Sequence, residues 1–401
     1  KKSMEISHMK KTLLAAALMV GFAGVAQAET SVTLYGVVDG GIGYQRVKGN
    51  TEDGSAKATR TGLLSGVQRG NRWGLRGSED LGDGLRFIFQ LESGFDIATG
   101  AQQQGKVNGN DRLFGREAHF GLAGDNWGQL TFGRQTTVSS LYMPGVGSPF
   151  GASFLQANMG ATFSSVNTTR YDNMIQYQTP SFAGFQAGLG YSFNTNGNQD
   201  ATYKVGGTKY KLNEKAWTAA LRYANGPIAL GLSYDQKKPD KYYGATVDNP
   251  NPNSDRKTIR EWILAGSYDF EVAKLHLAGG QVRHGLFTPQ GYLDGPDFLS
   301  GGLGMSGGVG KGFKANNYTV GVSAPVGAGE IMASWAMSDV RKAADGYKKS
   351  DMKDQQIYSL GYTYPLSKRT NVYALGSYAK NVHYAPKLKS TTVGVGVSHQ
   401  F

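Results

Sequence analysis

Asn71 to Glu92, NRWGLRGSEDLGDGLRFIFQLE, decides how the rest of the chain is read. Trp73 and Leu75 alternate with Arg72, Gly74 and Arg76. After EDLGDG, the residues Leu85, Phe87, Phe89 and Leu91 share one face, and Arg86, Gln90 and Glu92 share the other. A period of two is the signature of a strand with one apolar and one polar face. The intervening Gly82 and Gly84 suit the backbone angles of a tight turn. The stretch therefore reads as two antiparallel strands joined by a short connection.

The same grammar extends in both directions. SVTLYGVVDGGIGYQR, Ser31 to Arg46, alternates before it. Short turns follow at Asp125-Asn126, Pro180 to Ala183, Asn225-Gly226-Pro227, Asp269 to Val272, Pro325 to Ala328 and Pro365 to Arg369. Long polar connections lie at 48–68, 96–111, 136–168, 195–214, 238–256, 285–312, 340–353 and 382–389. Long and short connections alternate strictly, which gives sixteen strands, eight long loops and seven turns, with both termini on the short-turn side. No segment has helical periodicity, so a Rossmann unit or a helix bundle is excluded. One apolar and one polar face would also suit a soluble sandwich. Three features favour a membrane barrel: a Leu/Val/Ile/Phe face with Tyr191, Tyr223, Tyr268, Tyr364 and Tyr378 near strand ends, the asymmetric connections, and the need to close every backbone edge in lipid. The expected fold is all-β, a 16-stranded antiparallel up-and-down transmembrane β-barrel.

Composition agrees. The chain has 401 residues with 58 Gly, 12 Pro and no Cys. Its one apolar run, Leu13 to Val25, follows Met9, Lys10 and Lys11 and precedes Ala26-Gln27-Ala28. That is the layout of a signal peptide over 9–28, cleaved after Ala28 on export, with residues 1–8 extraneous and the barrel over 29–401. The leader and upstream residues hold Lys1, Lys2, Lys10 and Lys11 against Glu5, so +9 of the formal +12 falls on the barrel. No Lys/Arg run concentrates it, which argues against nucleic acid as a partner. Absence of Cys fits an exported protein.

One connection stands apart. Thr136 to Thr168, TTVSSLYMPGVGSPFGASFLQANMGATFSSVNT, holds no Asp, Glu, Lys or Arg. It is too long for a plain turn and too rich in Phe, Leu, Met and Tyr for a solvated tail. The last strand, STTVGVGVSHQF, aligns Val393, Val395 and Val397 with the terminal Phe401, which reads either as an ordinary closing strand or as a carboxy-terminal signature for outer-membrane assembly machinery.

Together with RWGLRGSEDLGDGL, the motifs SVTLYGVVDGGIGY, QLESGF, RLFGREAHFGLAG, GQLTFGRQ and RYDNMIQYQTP resemble the general porins of Gram-negative bacteria, of the type found in Bordetella and other beta-proteobacteria. The resemblance spans the mature chain. It implies a homotrimer of barrels in the outer membrane, each with a water-filled pore for small anions and hydrophilic solutes, among outer-membrane lipid and lipopolysaccharide. It also implies that the third long loop, 136–168, folds into the lumen as a constriction loop, shaped by Tyr142, Phe150, Phe154 and Phe163. Opposite it, the resemblance implies a basic wall of arginines on the first strands. Arg72 and Arg76 take the polar side by alternation, and Arg116 and Arg134 match the family's framing. Simple parity faces Arg116 and Arg134 outward unless the chain bulges or bends at Gly115 and Gly133. Many porins carry an acidic residue in a Pro-Glu-Phe-Gly segment of the loop; here Ser148, Pro149, Phe150 and Gly151 stand instead. An arginine field with no opposing acid is expected to select anions.

Nothing points to catalysis. His119, His276, His284, His383 and His399 do not pair at metal-ligand spacing, and no G-x-S-x-G elbow frames a nucleophile. The run GGLGMSGGVGKG, Gly301 to Gly312, lacks the strand and the Ser/Thr of a phosphate loop. No cofactor is expected. The alternative to a channel is a surface adhesin that works through its external loops on a barrel scaffold.

Overall fold

A computed structural model describes residues 30–51, 54–107, 110–167, 169–195, 197, 201–205, 208–239, 256–287 and 309–401. The expected signal peptide, 9–28, and most of the run 301–312 lie outside these residues. The wall is built from β1 (Ser31–Thr51), β2 in two segments (Gly54–Ser65 and Arg72–Gly82), β3 (Leu85–Phe95), β4 (Glu117–Gly124), β5 (Gly128–Thr136), β6 (Arg170–Gln178), β7 (Phe185–Ser192) and β8 (Lys215–Asn225). It continues with β9 (Ile228–Lys238), β10 (Ile259–Asp269), β11 (Lys274–Arg283), β12 (Lys314–Val326), β13 (Gly329–Lys342), β14 (Gln355–Pro365), β15 (Thr370–Lys380) and β16 (Lys389–Gln400). Each strand pairs antiparallel with the next, and β16 returns to β1 from Val37 opposite Gln400 to Lys48 opposite Lys389. The barrel of sixteen strands is closed, so no open edge is left to lipid. Phe401 completes the seam, exchanging both backbone hydrogen bonds with Gly36 (3.1 and 3.2 Å).

Alternation sorts the side chains as a membrane wall requires. Ile42, Leu189, Leu232, Leu264, Leu277, Val320, Leu360 and Val395 are exposed on the outside. Their strand neighbours Gln45, Ser192, Ser233, Glu261, His276, Thr319, Ser359 and Thr392 are buried on the inside. Exposed Trp217, Tyr234, Trp262, Tyr318, Tyr358 and Tyr378 ring the loop-side end of the apolar band, and Phe185, Tyr268 and Tyr364 ring the turn side. Such girdles mark the two membrane interfaces.

The first connection differs from the expected long loop at 48–68. β1 runs on to Thr51, and β2 starts at Gly54, with unbroken register from Gly40 opposite Ser65 to Thr51 opposite Gly54. Beyond the apolar band neither face needs hydrocarbon contact, so the contrast that reveals a strand in sequence fades while backbone pairing continues. Val47, Ala58 and Leu64 still face inward and are buried. The departure from the wall comes later, at Gly66 to Asn71, where β2 breaks and turns inward around Asp39. Asp39 accepts from the Gln68 and Arg69 amides (3.1 and 3.2 Å) and from the Tyr373 hydroxyl (2.9 Å). Its carbonyl takes the Gly66 amide (2.9 Å) and Asn71 Nδ2 (2.9 Å). Gly66 has φ +66°, a left-handed conformation that glycine adopts without cost.

The segment after β5 holds two short helices, Val138–Tyr142 and Pro144–Gly147, and three single 3₁₀ turns. Thr137 caps the first helix, its side chain accepting from the Ser140 amide. Met143, Val146, Met159 and Phe163 pack on Ile263 and Ala265 of β10 and Ala278 of β11. Phe150 and Phe154 pack on Leu64, Met332, Tyr373 and Leu375. All these wall partners lie on the face opposite the lipid-like one. Glu261 anchors the segment, accepting from the Ser165 amide (2.6 Å) and Ser164 Oγ (3.2 Å) on Oε2 and from Asn317 Nδ2 (3.0 Å) on Oε1. Gln156 Nε2 donates to Ser377 Oγ (3.0 Å), and Ser390 Oγ donates to Gln156 Oε1 (2.9 Å).

Candidate functional site

Opposite those anchors lies a cavity of about 1280 Å³, walled by β1 to β6, the inward bend and one flank of the segment after β5. All four expected arginines, Arg72, Arg76, Arg116 and Arg134, line it. Arg60, Arg69 and Arg170 join them, whereas the lining carboxylates are Glu92, Asp96 and Glu117. The arginine side is thus in net positive excess. The segment supplies Ser140, Leu141, Ala152, Ser153, Phe154, Leu155 and Asn158, none of them charged.

The arginines are held by different means. Arg76 lies over the Tyr35 ring, 5.3 Å from its centroid. Tyr35 in turn donates to Glu92 Oε2 (3.0 Å) and accepts from Gln90 Nε2 (2.7 Å). Glu92 Oε1 takes Arg116 Nε at 2.6 Å, and Glu117 Oε1 takes Arg170 Nε at 3.1 Å. Arg134 Nη1 and Arg112 Nη2 bind the two oxygens of Asp172, each at 2.6 Å. Burial, and then the neighbouring Arg134 charge, pull the Arg112 guanidinium below its ordinary value, while Asp172 opposes them. Arg72 donates Nε to the Gly70 carbonyl (3.1 Å) and makes no ion pair among the described residues.

Two of these positions contradict simple alternation, each for a local reason. Asp172 and Asn173 of β6 together face one residue of β5, because the register slips between Tyr171 and Met174. Beside this bulge Gly133 of β5 has φ +123°, and Asn173 within it has φ +49°. The bulge turns Arg134 inward beside Gln135, which is also buried. Arg116 precedes β4 in the bend after Gly115, so strand parity does not govern it.

The other expected residues scatter. Tyr142 is buried and donates to Gln178 Oε1 (2.9 Å); burial pushes its phenol up to about 12. Ser148 Oγ accepts from the Phe150 amide (3.3 Å). Pro149 rests on Gly321 of β12, where a Cβ would stand 2.4 Å from its Cδ. Gly151 has φ +55°. Pro149 and Phe150 border a second cavity of about 500 Å³ near the short turns at 328–330 and 365–371, and neither lines the arginine cavity. Phe401 is half-exposed at the seam. Sequence reading missed Arg170, Glu92, Glu117 and Asp172. Arg170 opens RYDNMIQYQTP immediately beyond the uncharged segment, which was signal enough; Asp172 depends on the bulge and left none.

A closed sixteen-strand barrel with a lipid-like exterior and a charged interior defines an outer-membrane channel of the porin class. The sequence pattern of the Gram-negative porin family matches residues 15–384, and the chain belongs to that family. It is 50% identical to an outer membrane porin protein of Bordetella pertussis, over 98% of this chain and 100% of that one. It is 32% identical to outer membrane porin protein 32 of Delftia acidovorans, over 98% of this chain and all of the relative. Among solved structures, the anion-selective porin from Comamonas acidovorans superposes with a TM-score of 0.65 at 27% identity, covering 93% of this chain and 100% of that one. The protein is an outer-membrane porin, a channel rather than an enzyme, and membership in this family disfavours the adhesin reading.

Proposed function

We propose that the channel admits small hydrophilic solutes and favours anions, and that 136–168 is its constriction loop, crossing the lumen toward β8 to β15. The single observation that carries this reading is the charge imbalance of the larger cavity: seven arginines face three acidic side chains and an uncharged loop flank. In a water-poor passage such a field raises local anion concentration and lowers that of cations. Arg72, Arg76, Arg116 and Arg134 form the basic side in this reading. Tyr142, Ser148, Pro149, Phe150 and Gly151 shape and seat the loop rather than contact ions. Similarity to the anion-selective porin from Comamonas acidovorans supports the same sign. Assembly as a homotrimer, recognition of Phe401 by the outer-membrane assembly machinery, and contact with lipopolysaccharide belong to this proposal. Zero-current potentials across a planar bilayer under a KCl gradient test it. A potential of the chloride-permeable sign is expected, and a cation-permeable sign would overturn it.

A further inference from the structure

The outward residues just beyond the aromatic girdle form a row that folding alone does not favour. Arg260 on β10 stands directly opposite Arg283 on β11, and Arg283 opposite Lys314 on β12; Lys314 faces Lys342 on β13 across a one-residue register shift that leaves Arg341 as the extra residue. Four cations therefore occupy one register line across four adjacent strands. Strands lie ~4.8 Å apart, so the line spans roughly 14 Å. Like charges directly opposite one another destabilise a sheet, and here the arrangement occurs twice in unbroken register and a third time at the β12–β13 register shift.

Among the described residues, local partners do not discharge the row. Arg260 Nε donates to Gln236 Oε1 (3.3 Å) and Arg283 Nε to Gln281 Oε1 (2.6 Å), both neutral. Lys342 meets Asp345 at 3.3 Å with both side chains about half exposed or more. Among the described residues, the carboxylate within ion-pair distance of any of the four is Asp345, which meets Lys342. Height fixes the surroundings. Trp262 is two residues from Arg260 on the same outward face, and Tyr318 is four residues from Lys314; both are exposed. Aromatic girdles sit at the headgroup boundary, so the row lies at the level where lipid phosphates begin.

We propose that Arg260, Arg283, Lys314 and Lys342 are a binding row for the phosphate groups of the phosphorylated glycolipid of the outer leaflet. The proposal rests on the outer-membrane placement of the barrel and deepens the expected contact with lipopolysaccharide into a particular face and chemistry. A phosphate between two neighbouring strands accepts from two cations at once, and this relieves the repulsion that the bare row carries. The anion-selective pore uses none of these residues, so the two readings fail separately.

Native mass spectrometry of the full-length protein in detergent, titrated with bisphosphorylated lipid A and with the same lipid enzymatically dephosphorylated, tests the row. Each charge removed is expected to weaken binding roughly fivefold. The R260Q/R283Q/K314Q/K342Q variant should therefore lose most of its affinity for the phosphorylated form while keeping its anion-to-cation permeability ratio. Binding by that variant within about twofold of the parent chain overturns the proposal. Equal binding of phosphorylated and dephosphorylated lipid by the unmodified protein overturns it too, and that arm requires no variant to fold.

Discussion

Replacing Arg72 by Gln should lower the anion-to-cation permeability ratio by an amount that the cavity geometry sets. Arg72 is the informative choice because its guanidinium binds a backbone carbonyl and no carboxylate within ion-pair distance among the described residues. A sphere with the volume of the larger cavity, about 1280 Å³, has a radius of about 7 Å, at which a unit charge acts on an ion with ~0.6 kcal/mol in water. That is close to RT. Anion and cation feel it with opposite signs, so unscreened it changes their ratio roughly sevenfold. Screening over ~30 Å at 10 mM salt reduces the factor to about five, and over ~8 Å at physiological salt to about two. The assay is the zero-current potential at both ionic strengths, with unitary conductance checking that the variant barrel is intact. An unchanged ratio at low salt, or the same shift at both salts, would refute the reasoning.

Asp172→Asn should move the ratio the other way, since Arg112 and Arg134 lose their shared counter-charge; the same potentials measure it, and a fall contradicts the assignment. Phe154→Ala removes a ring set edge-on to Phe150 (centroids 5.6 Å) and Tyr373 (5.8 Å) at the cavity rim. Losing such a buried ring costs about 3–5 kcal/mol of packing, and unitary conductance is expected to rise; an unchanged conductance would place the loop away from the ion path. Asp39→Asn separates position from charge. Removing a negative charge should by itself favour anions, but loosening the Gln68 and Arg69 amides displaces Arg69 and Arg72, so a fall in anion selectivity is expected and a rise counts against the inward bend as a positioning element.

The barrel was legible because lipid outside and water inside impose a two-residue contrast on every strand. NRWGLRGSED shows it, and the short turns after it were placed correctly from Gly, Pro, Asn and Asp alone. The contrast fails where the solvent is the same on both faces, which is why Gly54 to Ser65 read as part of a loop although it pairs throughout with Gly40 to Thr51 of β1. At the site, alternation sufficed for Arg72 and Arg76 and misdirected Arg116 and Arg134. Their orientation comes from a bend before β4 and from the bulge at Asp172-Asn173, a one-residue slip between strands that is set by pairing rather than by either sequence. The inward bend at Gly66 to Asn71 was invisible for a related reason. Its organiser, Asp39, sits in an ordinary strand, and its partner Tyr373 is 334 residues away.

That separation bears on the order in which the molecule is made. Asp39 receives the Tyr373 hydroxyl only where β15 and β16 have come round to meet β1, so closure of the ring also completes the bend that carries Arg69 and Arg72. A wall still open at the seam lacks this support for its filter. Selective permeability is therefore coupled to the final zippering of the cylinder, and a half-assembled chain, whatever its secondary structure, is not yet a sieve.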